Sequence, residues 1–196
     1  MRPRPRYRTR FGVRRAEIWF AKCRFQGVCC YTPRMTIEVA TQADIPAIMA
    51  IERTPGFEGF IGRWTHDQHA EQMAKDSVRY FVLREGGKVK AFAIFQQIGD
   101  PDRRVHLKRT ASSETGQGIG SALLSHALDW LYTETDTNRV DLDLFVENER
   151  ARRTYEKLGF IVEGQLRDYH RSVDGHIRDA LIMSILRKDW AKRHRL

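Results

Sequence analysis

Two short stretches carry residue types and spacings that could do chemistry. The first is Glu114-Thr115-Gly116-Gln117-Gly118-Ile119-Gly120-Ser121, with glycines at alternate positions just ahead of an apolar run of helical period. Glycine lets the backbone approach a ligand closely, so successive N–H groups can point at phosphate oxygens while the helix start favours negative charge. A nucleotide P-loop is excluded because no Lys follows Gly120, and the dinucleotide fingerprint fails where Ser121 stands in place of its last glycine. Taken alone, this turn is equally consistent with a strand-to-helix connection that binds nothing. The second stretch runs from Asn148 to Phe160 and places a phenol, Tyr155, on a helix. Asn148 suits the helix N-cap and needs no ligand to explain it. Ala151, Tyr155 and Leu158 fall on one helical face, and a tyrosine at such spacing alone reads as a core residue.

The elements that must position these residues alternate from Met35 onward. Thr36 to Ala40 reads as a short strand. Thr41 and Asp44 can cap a helix reaching about Arg53, with Ile45, Ile48, Met49 and Glu52 at helical spacing. Thr65 begins a second helix, with Gln68 completing a capping box. Val78–Arg84 and Val89–Gln97 form a hairpin around Gly86-Gly87, and Arg104–Ala111 continues the sheet. The glycine-rich turn leads into a helix reaching about Tyr132, with Leu123, Leu124, Ala127, Leu128 and Leu131 on one face. Val140, Leu142 and Leu144 alternate as a strand, and Gly159 ends the Asn148 helix. Phe160–Leu166 and Ile177–Leu186 close the sheet around Asp174-Gly175. The pattern predicts an α/β (α+β) domain with a mixed, mostly antiparallel sheet of six to seven strands flanked by about four helices.

The 196 residues suit one domain, and no apolar run approaches the ~20 residues of a membrane span. The expectation is a soluble, cytoplasmic protein with no membrane partner. The formal net charge of +9 belongs to residues 1–34, which hold ten Lys and Arg and a single acid, Glu17. Residues 35–196 are balanced, which argues against nucleic acid as a partner of the domain. The three cysteines, Cys23, Cys29 and Cys30, also lie in the basic segment, so no cysteine nucleophile is available from residue 35 onward. No His/Cys set has metal-ligand spacing, and no metal is expected. The segment could bind RNA or DNA phosphates, or the ribosome, through arginine, could serve as a targeting peptide, or could be translated upstream sequence with Met35 as the true start. The abrupt change of pattern at Met35 favours the third reading, so residues 1–34 are expected to be a poorly ordered extension and residues 35–196 the domain.

The two chemical stretches together resemble the GNAT acyltransferase superfamily. Its cofactor turn has the form [RQ]-x-x-G-x-[GA], matched at Gly118 and Gly120, and its later segment N-x-x-A-x-x-x-Y-x-x-x-G-F is matched at Asn148, Ala151, Tyr155, Gly159 and Phe160. The resemblance covers about residues 36–190, and the stretches Glu163–Arg167 and Met183–Leu186 look like the branch containing ribosomal-protein alanine N-acetyltransferases. It implies transfer of an acetyl group from acetyl-CoA, as cosubstrate, to a primary amine by direct attack in a ternary complex. The amine would belong to a small molecule or a peptide N-terminus, and a homodimer is compatible with the pattern. The turn residues Thr115, Gly116, Gln117, Gly118, Ile119 and Gly120 would hold the pyrophosphate, Thr110 and Ala111 the pantetheine and acetyl carbonyl, and Asn148 the cofactor or its loop. Tyr155 would protonate the departing thiolate. Glu58 is the candidate for recognising or deprotonating the amine, with Glu114 and Asp143 as further acids; His66 and His106 read as structural. Thr115 departs from the family's Arg or Gln and removes a side-chain donor. A non-catalytic acyl-CoA-binding module on the same fold is the alternative reading.

Overall fold

A computed structural model describes residues 16–18, 35–57, 59–171 and 175–194. Among the described residues, eight strands form one sheet: β1 (Ala16–Ile18), β2 (Met35–Val39), β3 (Arg79–Glu85), β4 (Lys88–Gln96), β5 (Arg104–Ser112), β6 (Arg139–Phe145), β7 (Ile161–Arg171) and β8 (Ile177–Leu186), in spatial order β1-β2-β3-β4-β5-β6-β8-β7. Every neighbouring pair is antiparallel except β5 and β6. Seven strands lie from residue 35 onward, as the pattern predicts. The eighth comes from the basic segment, where three residues are too few to leave a periodic signal.

Among the described residues there are five α-helices, one more than expected: α1 (Ile45–Glu52), α2 (His66–Met73), α3 (Ile119–Glu134), α4 (Glu149–Leu158) and α5 (Arg187–His194). The capping signals act as read. The Thr65 hydroxyl accepts from the Gln68 amide, and the Gln68 carboxamide oxygen accepts from the Thr65 amide. Asp44 accepts from the Thr41 amide at 2.9 Å ahead of α1. The fifth helix escapes notice because RKDWAKRH is polar all round except for Trp190, which is buried and donates to Asp129 at 2.8 Å.

Strand alternation divides the core between the two faces of the sheet. Phe81, Leu83, Ala91, Ala93 and Phe95 face α3, whose Leu123, Leu124, Ala127, Leu128 and Leu131 are all buried. Each such leucine contributes about 1.5–3 kcal/mol by leaving water. Tyr80, Val82, Phe92 and Ile94 face the opposite way, against Ile48 and Ile51 of α1. Because helices cover both faces, Ala91–Phe95 is buried continuously rather than at alternate positions.

The feature that creates a site is the way β5 treats its two neighbours. Its register with β4 shifts between Ile94, opposite Arg109, and Phe95, opposite Leu107, so Lys108 is the extra residue of a bulge. On its other edge β5 pairs with β6 only over Arg104–His106. Beyond His106 the two strands part, while β6 stays paired with β8 as far as Phe145. None of the helices among the described residues is long and apolar enough to cross a membrane.

Candidate active site

A cleft of about 1260 Å³ opens where β5 and β6 part. One end is walled by the turn into α3. Gly116 and Gly118 have φ of +82° and +76°, the left-handed region that glycine enters without steric cost, and Gly118 is the N-cap of α3. A Cβ placed on Gly116, Gly118 or Gly120 would meet no atom within 4 Å, so this stretch faces open space. The first amides of α3 have no partner within the helix, which gives the turn a row of donors next to the positive end of a 16-residue helix. The Ile119 side chain is buried under the sheet and anchors the turn from below.

The remaining side chains of the turn hold its shape. Lys90 is ion-paired with Glu114, and Gln117 donates to the other Glu114 oxygen at 2.9 Å. The Ser112 hydroxyl donates to the Glu114 carbonyl at 2.7 Å. Gly116, Gly118, Ile119 and Gly120 line the cleft, whereas Thr115 and Gln117 do not. Glu114, one of the acids weighed as a base, is held by this loop network.

In the middle of the cleft, Thr110 and Ala111 of β5 form the wall. The Thr110 hydroxyl is committed to the Phe92 carbonyl at 2.9 Å, so only its backbone is available. Asn148 accepts from the Ala151 amide at 3.2 Å as the cap of α4 and also borders the cleft. Seven residues on from that cap, Tyr155 reaches the cleft with its ring 5.6 Å from that of Phe160. It is buried, and burial first, then the charge of Asp143, push its phenol above the ordinary value. Tyr155 therefore stays protonated across the physiological range and can act as a donor.

Asp143, on β6, lines the cleft and lies 3.4 Å from Nε2 of His106. His106 is thus part of the site's framework, in keeping with its structural reading. His66 is exposed on α2 and does not reach the cleft. Glu58 lies outside the described residues. No group of three or more His, Cys, Asp or Glu able to hold a metal occurs among the described residues.

The far end of the cleft is aromatic and contains a cation that the sequence reading missed. Phe60, Phe145 and His170 stack in series, with ring centroids 6.4 and 5.8 Å apart. Beside them Arg109 lies 4.3 Å over the Trp64 ring and donates to the fully buried Glu52 at 2.5 Å. The signal was Glu52 itself: a carboxylate on the apolar face of α1 requires a buried cation, and the sequence did not say which one.

Fold and cleft together define an acyltransferase. The model of the acetyltransferase (GNAT) family matches residues 45–160, more than half of the chain, and the chain belongs to that family. It is similar to the spermidine N(1)-acetyltransferase of Escherichia coli strain K12, 28% identical over 130 residues that span 66% of this chain and 69% of that protein. A putative ribosomal N-acetyltransferase of Bacillus subtilis is 33% identical over 75 residues, 38% of this chain and 40% of that one. Among solved structures, the ribosomal-protein-S18-alanine N-acetyltransferase of Escherichia coli superimposes with a TM-score of 0.66 at 29% identity, over 78% of this chain and 93% of that one. The fold is also that of a spermidine N-acetyltransferase of Vibrio cholerae, solved with CoA and spermine, at a TM-score of 0.70, 20% identity and coverage of 80% and 97%.

Proposed function

We propose that the protein transfers an acetyl group from acetyl-CoA to a primary amine, and that residues 35–196 form the catalytic domain with residues 1–34 as a basic extension. The observation that carries this reading is the convergence of three features on one cleft: the open glycine turn at a helix start, the parted strands β5 and β6, and the buried phenol of Tyr155 beside Asp143.

Acetyl-CoA would supply an activated acyl group, and the residues present fit it. The amides from Gly116 to Gly120 would bind the pyrophosphate as a preorganised anion site. The backbone of Thr110 and Ala111, left unpaired on the β6 side, would hold the pantetheine arm as an adjacent strand does and would orient the acyl carbonyl. Asp143 would accept the proton of the incoming ammonium, and the nitrogen would then form its bond to the acyl carbon as the carbon–sulfur bond breaks. Tyr155 would give its proton to the departing sulfur and regain one, through solvent, from the acylated nitrogen as it sheds its second proton to become the amide. The proton held by Asp143 would leave to solvent. Asp143 would serve here because it borders the cleft next to the phenol; Glu58, the other candidate for this role, lies outside the described residues.

The test is to incubate the purified protein with acetyl-CoA and a panel of amines, polyamines and peptide N-termini while following thiol release. Release that depends on the amine supports the reading. Absence of turnover together with absence of CoA binding by calorimetry would overturn it.

A further inference from the structure

Arg109 is the least expected residue in the cleft wall. Its side chain is only 8% exposed, and Glu52 beneath it is fully buried. Both Glu52 oxygens are occupied: Oε1 accepts from Arg109, while Oε2 lies 3.3 Å from Nε2 of His69 and accepts from the Trp64 amide at 3.4 Å. His69 is in turn fixed by Tyr80 at 3.2 Å through its other nitrogen. The carboxylate is therefore saturated, and the guanidinium is held at a set position and tilt by the pair and by the Trp64 ring.

The guanidinium itself is not saturated. It carries five N–H donors, and among the described residues only Nη1 has a partner, Glu52. No side-chain nitrogen or oxygen fully sealed from solvent lacks a partner among the described residues, so Nε and Nη2 must reach open space. The open space at Arg109 is the cleft. Gly62 keeps that approach clear, since a Cβ there would come within 2.8 Å of Nη2.

A cation this deeply buried, with donors turned to a ligand cleft, is built to meet an oxygen. The charge balance says which kind. Arg109 and Glu52 neutralise each other inside the protein, while the second cation near that carboxylate, Arg53 at 3.8 Å, is 40% exposed and screened by water. A ligand carboxylate would therefore leave an excess buried negative charge, whereas a neutral carbonyl satisfies the donors without one. We propose that Arg109 binds the carbonyl oxygen of the acceptor, and that the acceptor is an α-amino amide such as a peptide N-terminus rather than a polyamine or a simple alkylamine. This rests on the acetyltransferase reading and narrows its substrate. A polyamine offers only cations and methylenes to this wall and would set a positive charge beside a fixed guanidinium.

The test compares amines of matched shape on the full-length wild-type enzyme with acetyl-CoA: L-alaninamide, isopropylamine, L-alanine and spermidine. The kcat/KM is expressed per unprotonated amine, because an α-amine titrates at about 8 and an alkylamine at about 10.4. On that basis the value for alaninamide should exceed that for isopropylamine and spermidine by at least about tenfold, since a site with buried donors rejects analogues that leave them unpaired. Free alanine should fall between, because its carboxylate supplies an oxygen but adds charge. Gly62→Ala, whose Cβ would stand 2.8 Å from Nη2 and so displace the guanidinium, should raise KM for alaninamide about tenfold while leaving KM for acetyl-CoA within about twofold. Arg109→Lys should do the same if it folds. Equal kcat/KM for alaninamide and isopropylamine would overturn the proposal and leave the acetyltransferase reading standing, as would a rise confined to KM for acetyl-CoA. Failure of every amine, with no CoA binding, would instead remove the acetyltransferase reading and this inference with it.

Discussion

Nε2 of His106 lies 3.4 Å from Oδ1 of Asp143, and Nδ1 of the same ring lies 2.9 Å from Oδ1 of Asp141. One imidazole thus ties an acid of the cleft to an acid of the core. The core member is itself gripped by Arg104, so the ring that backs Asp143 stands on a rigid base. Such support fixes the direction of the Asp143 carboxylate and keeps it near Tyr155, whose phenol registers its charge.

Asp143→Asn removes the proposed proton acceptor while preserving shape. The kcat at pH 7 should fall by about 10²–10⁴, the span of general acid–base catalysis. The deficit should shrink as pH rises toward the amine's own pKa, because solvent then deprotonates the acceptor. A pH profile of kcat/KM parallel to that of the wild type would take Asp143 out of this role.

Tyr155→Phe should also lower kcat by about 10²–10⁴ and leave CoA affinity within about twofold, because the ring keeps its packing on Phe160. Since burial holds the phenol protonated, no loss of activity on the alkaline side below about pH 10 should trace to Tyr155. Calorimetry with CoA separates this outcome from a general loss of structure.

Gly118→Glu should abolish CoA binding, as a carboxylate would enter the proposed anion site. The backbone at this position has φ of +76°, so any side chain adds strain. Gly118→Asn supplies the control, since asparagine tolerates this region better than most residues. The Asn variant should keep much of its affinity with a similar melting temperature; equal loss in both variants would point to strain and not to charge.

Asp141 is buried, and although burial alone would raise its pKa, the hydrogen bonds and charges of His106 and Arg104 bring it down to about 2. A carboxyl depressed in the folded state contributes stability above its unfolded pKa, near 3.9, and loses it as pH falls through the folded value. The shift corresponds to about 2 kcal/mol by linkage. Asp141→Asn should lower stability by roughly that amount at pH 7, and denaturant titrations should show the two proteins converging between about pH 4 and pH 2.

What could be read from the sequence is what depends on local pattern. The Thr65–Gln68 capping box, the Asn148 cap, the glycine turn and the α3 leucines are each set within a few residues, so they stand where they were expected. The site's remaining parts depend on contacts far apart in the chain. Glu52 meets Arg109 across 57 positions, and His106 meets Asp141 across 35; no periodicity encodes such partners. Strand β5 hid its cation for a related reason. The Lys108 bulge changes which side chains share a face, so strict alternation over Arg104–Ser112 misplaces Arg109. Helix α5 went unseen because it is nearly all charge and rests on a single tryptophan.

The divergence of β5 from β6 after His106 has a thermodynamic corollary. Main-chain groups from Leu107 to Ser112 lack a ladder partner on that edge, so the sheet is interrupted at its centre, the part that in most folds is the most firmly knit. A ligand lying along the seam would act as a missing rung and join the two halves. Cofactor occupancy should therefore be coupled to global resistance to unfolding, with the slowing of amide exchange concentrated on either side of that join.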